Sequence, residues 1–178
     1  VKKSHESRPT SDPLALAPAR VHEAAGPGRS AFALFQTARH PGPLFWVLPQ
    51  HEVSRPLPQG LPEGVAERLH LVETRSETEL LWATEEALRS PASGFVIAEP
   101  GKALNLTAGR RLQLAAEAGR TTGLLLIREG HGCNAAETRW QCVPLPGPAD
   151  SARQHWRLTK DKSGTIGALT VDWDGMCT

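Results

Sequence analysis

Two glycines, an arginine and a serine stand within five residues at Gly26-Pro27-Gly28-Arg29-Ser30. Placed between a strand and a helix, such a group could hold phosphate, because a helix N-terminus presents free N–H groups to an anion. Gly26, Gly28, Arg29 and Ser30 are therefore the candidate nucleotide-binding residues. The full phosphate loop, G-x-x-x-x-G-K-S/T, wraps a triphosphate and neutralises it with lysine. The stretch here is several residues shorter, has arginine in place of that lysine, and is not a G-x-G-x-x-G turn. The expectation is a vestigial site serving as a tight turn into a helix.

Other groups have the right types but not the right company. Glu99 ends an apolar run where an acidic metal-positioning residue could stand; without a phosphate loop it reads as a solvated strand-end carboxylate. His131-Gly132-Cys133 invites a Cys–His reading, but its glycines suggest a flexible loop and no partner is apparent. No catalytic residue and no metal ligand set is assigned. The cations Arg110, Arg111, Arg139, Arg153, Arg157, Lys160 and Lys162 are candidates for a DNA or partner surface. Trp140, Trp156 and Trp173 interleave with several of them, which suits phosphate pairing with base stacking. At least two of the three tryptophans are expected in the core instead.

Such groups need strands and helices to hold them, and the frame is clearest over 94–128. Gly94-Phe95-Val96-Ile97-Ala98 is a short apolar run closed by Glu99-Pro100-Gly101, which reads as a buried strand and a turn. Leu104, Ala108, Leu112, Ala115 and Ala116 then fall at helical spacing, with Asn105 or Thr107 as N-cap and Gly119 as the stop. Leu124-Leu125-Leu126-Ile127 is a second apolar strand. The result is a βαβ unit whose strands need cover on both faces.

Upstream, Val21 to Ala25 reads as a strand, Ser30 as the cap of a helix through Gln36, and Leu44 to Leu48 as a buried strand. Leu69 to Val72 is a short strand. Ser76 and Glu79 form a capping-box pattern opening a helix that carries Leu80, Ala83, Ala87 and Leu88 on one side. The order predicts a mostly parallel α/β sheet with right-handed crossovers. Downstream, residues 138–145, 155–160 and 168–173 alternate polar with apolar, and Asp161 to Gly164 suits a hairpin turn. These are expected to be half-exposed antiparallel strands added to the sheet. Residues 146–154 read as a loop. Residues 1–20, polar and rich in proline and alanine, read as a flexible N-terminal arm, with residues 21–175 as one domain.

Bulk properties narrow the function classes. At 178 residues with a net charge of +1, the chain can build a sizeable core and has no global electrostatic attraction to nucleic acid. Cys133, Cys142 and Cys177 match no zinc or redox spacing, which suits a reduced cytoplasmic protein. No apolar run approaches the roughly 18 residues that span a bilayer, and the N-terminus lacks a signal-peptide core. A cytoplasmic protein without cofactor or membrane contact is expected.

Several of these stretches together resemble the ImuA proteins. They are Val21-His22-Glu23, Leu44 to Pro49, Leu81 to Arg89, Leu106 to Glu117, Gly123 to Leu126, Thr138-Arg139-Trp140, and Trp156-Arg157-Leu158 through to Trp173-Asp174. The resemblance covers about residues 20–175 and is most specific at Arg110 to Glu117 and at Thr138 to Trp140. It implies a RecA-like core, also related to SulA cell-division inhibitors. It further implies an accessory role in damage-induced (SOS) translesion synthesis, through contact with ImuB, a catalytically defective relative of Y-family polymerases. RecA and single-stranded DNA are implied as lesser contacts. The nearest counterpart of RecA's glutamate base is Glu52. The expected function is a non-catalytic adaptor; the alternatives are a RecA-like ATPase switch and a SulA-like division inhibitor.

Overall fold

The computed structural model describes residues 12–52, 55–56, 60–147, 152–164 and 166–173. Its strands are β1 (Val21–Ala25), β2 (Leu44–Pro49), β3 (Leu69–Thr74), β4 (Phe95–Ala98), β5 (Thr122–Leu126), β6 (Thr138–Pro144), β7 (Ala152–Asp161) and β8 (Gly167–Trp173). Its α-helices are α1 (Arg29–Arg39), α2 (Glu77–Arg89) and α3 (Leu106–Gly119). The strands form one sheet in the order β3-β2-β4-β5-β1-β6-β7-β8. The first six run parallel, and β7 and β8 each run antiparallel to the strand before. The expected α/β class, mostly parallel with antiparallel C-terminal strands, is borne out.

One strand differs in direction. Expected to be antiparallel, β6 lies parallel beside β1, with Glu23 opposite Arg139 and Ala24 opposite Trp140. The chain leaving β5 crosses back over residues 127–137 before entering β6, so no hairpin joins the two. The loop expected over 146–154 is also shortened at its far end, because β7 begins at Ala152.

Local chemistry explains the helix boundaries. Ser76 Oγ accepts the Glu79 N–H at 3.2 Å, while the Glu79 carboxylate accepts from Arg75 N–H at 2.8 Å, a capping box displaced by one residue. Between Asn105 and Thr107 the cap is Asn105, whose Oδ1 accepts the Ala108 N–H at 2.8 Å. No side chain caps α1: Gly28 holds that position and Ser30 lies inside the first turn. The stop of α3 is Arg120, which takes the left-handed conformation at φ 55°. Gly119 serves a different need, since a Cβ there would come within 2.1 Å of the Leu88 carbonyl oxygen.

The core has two layers. On one face of the sheet α1 sets Phe32, Ala33 and Phe35 against Trp46, Leu124, Trp140 and Trp156. On the other face α2 and α3 set Leu80, Leu88, Leu112 and Ala116 against Val47, Val96 and Leu125. Residues 12–20 do not hang free as an arm. Leu14 and Leu16 enter the α1-side core, because the Leu-Ala-Leu alternation offers both leucines to one side. Gln36 Nε2 donates to the Leu14 carbonyl at 2.8 Å, and Asp12 pairs with Arg39. Residues 1–11 lie outside the described residues.

His22, fully buried on β1, completes that attachment. Its Nε2–H donates to the Ala17 carbonyl at 3.0 Å, so its Nδ1 accepts the Thr138 hydroxyl at 2.7 Å. Burial pushes its pKa down from 6.5 to about 4, against the opposing pull of the Ala17 hydrogen bond, and the ring is neutral at pH 7.

Candidate functional site

In a parallel α/β sheet, ligands sit beyond the carboxyl ends of the strands. There the turn after β1 brings Gly26, Gly28, Arg29 and Ser30 together. Gly26 has φ +91°, and a Cβ on it would lie 2.5 Å from the Cys142 carbonyl oxygen of β6. The Gly28 N–H donates to that same oxygen at 2.9 Å, and the Arg29 N–H donates back to Gly26 O at 3.2 Å. Pro27 has no N–H to offer. The Arg29 side chain also turns inward, with Nη1 3.3 Å from Gly26 O. The donors at Gly28 and Arg29 that would cradle a phosphate are engaged with backbone carbonyls, and β6 closes over the turn. The geometry does not fit a wrapped triphosphate.

Beside the turn lies a cleft of about 240 Å³, lined by Ser30, Leu34, Trp46, Arg55, Leu61 and Glu99 among others. Glu99 is not the solvated carboxylate expected of a strand end. Trp46 Nε1–H donates to its Oε1 at 2.6 Å. Burial raises its pKa, opposed by that hydrogen bond; the charge of Glu52 adds to the rise and Arg29 counters it. Glu52 and Glu99 therefore share one electrostatic neighbourhood. Among the described residues no group of three or more His, Cys, Asp or Glu side chains could hold a metal ion. No helix among them is long and apolar enough to cross a membrane.

The His131-Gly132-Cys133 stretch belongs to a structural clamp. Glu23, fully buried on β1, accepts the Cys133 N–H at 2.8 Å through Oε1 and Arg139 Nε at 2.8 Å through Oε2. Arg139 in turn donates to the Cys133 carbonyl at 3.0 Å. The Cys133 thiol is buried against α3, where a Cβ on Gly109 would meet Sγ at 2.5 Å.

The seven candidate cations do not make one surface. Arg111 pairs with Glu85 of α2, Arg139 with Glu23, and Arg153 with Asp172 across β7 and β8. Lys160 Nζ donates to the carbonyls of Asn134 and Ala136, and Lys162 pairs with Glu137 at 3.3 Å. The remaining two, Arg110 and Arg157, have no acidic partner among the described residues, and they stand apart. Arg157 lies on the helix-free face of the C-terminal strands, at a cleft shared with Gly130, Gly132 and Gln141. Arg110 lies on the outer side of α3. Trp140 and Trp156 are buried against Phe32, with ring centroids 5.2 and 5.0 Å away, so neither offers a face to a base. The side chain of Trp173 and all of Cys177 lie outside the described residues.

One feature escapes a reading of the sequence by periodicity. Leu106 and Leu114 are 44% and 64% exposed, on either side of Arg110 along α3. With Gln113, Asn134, Ala135 and Lys162 they line a groove of about 350 Å³. The inward stripe of α3 accounts for Ala108, Leu112, Ala115 and Ala116. The two leucines left off that stripe were the available signal.

The expected likeness to the ImuA proteins is borne out by comparison with known sequences. Protein ImuA of Caulobacter vibrioides, from two strains, is 36% identical over 126 residues, covering 63% of this chain and 50% of the relative. The chain thus spans about half the length of the curated relatives it matches. No protein-family profile matches it.

Proposed function

We propose that this ImuA-related chain is a non-catalytic adaptor of damage-induced translesion DNA synthesis, working in the cytoplasm through contacts with ImuB and with RecA. The observation that carries the reading is the closed turn after β1. A RecA-type ATPase needs a run of free N–H groups at that point, and here Gly28 and Arg29 spend theirs on Cys142 and Gly26. The sheet supports the RecA-like kinship, since six parallel strands followed by an antiparallel pair suit such a core. A protein that keeps this frame without its phosphate loop has its surfaces left to work with.

The test is co-purification of the full chain with ImuB, and separately with RecA filaments on single-stranded DNA, each with and without ATP and magnesium. The adaptor reading expects capture that is indifferent to nucleotide, and no rise in melting temperature with ATP, because a ligand of the native state would stabilise it. Capture that requires ATP, or a rise abolished by Arg29→Ala, would make the protein a nucleotide switch. Absence of capture in every arm would overturn the adaptor reading.

A further inference from the structure

We infer that the groove between α3 and the 134–136 loop docks an acidic amphipathic helix of a partner protein. The biology of the inference rests on the adaptor reading; its chemistry rests on the groove. Leu106 and Leu114 lie eight residues apart, about 12 Å along the helix axis. In a helix whose other side is already buried, this outer arc is normally polar. One exposed leucine means little, but two on one arc, facing a groove with Ala135 on its other bank, make an apolar track two helical turns long.

The groove is also held ready. Gln113 of α3 accepts the Val21 N–H at 3.1 Å and donates to the carbonyls of Val21 and Ala135 at 2.8 and 3.1 Å. That one side chain fixes α3, β1 and the loop relative to one another, so little ordering remains to be done on binding.

Charge selects the occupant. Arg110 stands between the two leucines with no acidic partner among the described residues, and Lys162, paired with Glu137 at 3.3 Å, stands on the opposite bank. Among the described residues no carboxylate lines the groove. A helix with leucine-like anchors at i, i+4 and i+7, flanked by Glu or Asp, satisfies both the leucines and Arg110. Nucleic acid would meet Arg110 but leave Leu106 and Leu114 uncovered. A second copy of α3 would bring two Arg110 side chains toward each other.

The probe is a synthetic 18-residue amphipathic peptide with Leu anchors and Glu flanks, followed by fluorescence anisotropy, with a Lys-flanked peptide as its counterpart. The acidic peptide is expected to bind the full chain, and at least about tenfold more weakly to Arg110→Glu and to Leu114→Ala. Trp82→Ala, on the exposed side of α2, should bind like the unaltered chain. Melting temperatures of all variants should match, since each changed side chain is exposed. Equal binding of the two peptides overturns the inference. So does weakening by Trp82→Ala alone, or self-association that Leu114→Ala abolishes. ImuB capture separates the two readings. Capture undiminished by Arg110→Glu would overturn the groove as the docking site and leave the adaptor standing. Groove-dependent peptide binding without capture by ImuB or by RecA filaments would do the reverse.

Discussion

The strands from β3 to β1 and those from β6 to β8 share one sheet but meet different conditions. The first group lies between α1 on one face and α2 with α3 on the other. Its inner strands β2, β4 and β5 are near-continuous apolar runs, whereas the edge strand β3 exposes His70, Leu71 and Glu73. The second group packs one face on α1 through Trp140 and Trp156 and, among the described residues, leaves the other without a helix. There Arg153, Arg157 and Thr170 are at least partly open to water. The difference teaches where charge is tolerated. In the covered half a polar side chain must bring its partner, as His22 and Glu23 do; in the half-open part it needs only solvent. The two regimes meet at the β1–β6 seam, where Glu23 and Arg139 join.

The largest effect should come from removing what anchors the half-open part. Trp156 is fully buried, with Phe32 at 5.0 Å and Phe35 at 4.9 Å. Trp156→Ala should cost about 4 kcal/mol in urea unfolding. Trp82→Ala, at 62% exposure, should leave stability unchanged within about 0.5 kcal/mol. Equal costs for the two would dissolve the distinction between the regions.

The seam comes next. Arg139→Ala leaves the Glu23 carboxylate buried without its cation and should cost about 3 kcal/mol. Adding Glu23→Gln removes the stranded charge while keeping an acceptor for the Cys133 N–H, and should recover at least about 1 kcal/mol in the same assay. If the double variant were weaker than Arg139→Ala, the pair would matter through something other than charge.

On the same strand, His22 can be probed by pH. Its folded pKa lies near 4, below the unfolded 6.5, so the unfolded chain binds the extra proton between those values. Its contribution is present above about pH 6.5 and is lost as pH falls toward 4. From about pH 7.5 to about pH 4.5 the unaltered chain should lose about 2 kcal/mol more than His22→Gln. Glu99, raised by burial, acts in the opposite direction, losing its stabilising contribution as pH rises, so the comparison must be made against that variant. The smallest effect belongs to the solvent side. Asp172→Asn breaks the exposed pair with Arg153 and should leave the melting temperature unmoved.

The covered half is the more legible one in the sequence. Apolar runs mark β2, β4 and β5, and Ser76 and Asn105 mark two helix starts, because those signals are local. The direction of β6 is not local. Its alternation reports a half-exposed strand, while its parallel placement depends on Glu23, Cys133 and Arg139, which come together only in the fold. The turn at Gly26 to Ser30 can be read as too short for phosphate; its closure depends on a carbonyl from Cys142. Counting cations likewise misses their partners, since the carbonyls that hold Lys160 have no sequence signature. Residues 12–16 mislead for a compositional reason: proline and alanine around Leu14 and Leu16 look like a tail, and only the α1 surface shows that the leucines have somewhere to go.

Strand order also has a consequence in time. β1 sits between β5 and β6, and its Glu23 bonds to a residue 116 positions later. At a ribosomal rate of about 5–20 residues per second, the central strand is made roughly 6–23 s before its outer neighbour exists. Through that interval its outer edge is bare, its inner edge is bare until β5 is made, and His22 lacks the Thr138 hydroxyl it will bind. A nascent chain cut or stalled before residue 138 therefore carries a centre strand with its outer edge unpaired and with His22 and Glu23 lacking Thr138 and Arg139, the kind of segment that chaperones hold and that otherwise aggregates.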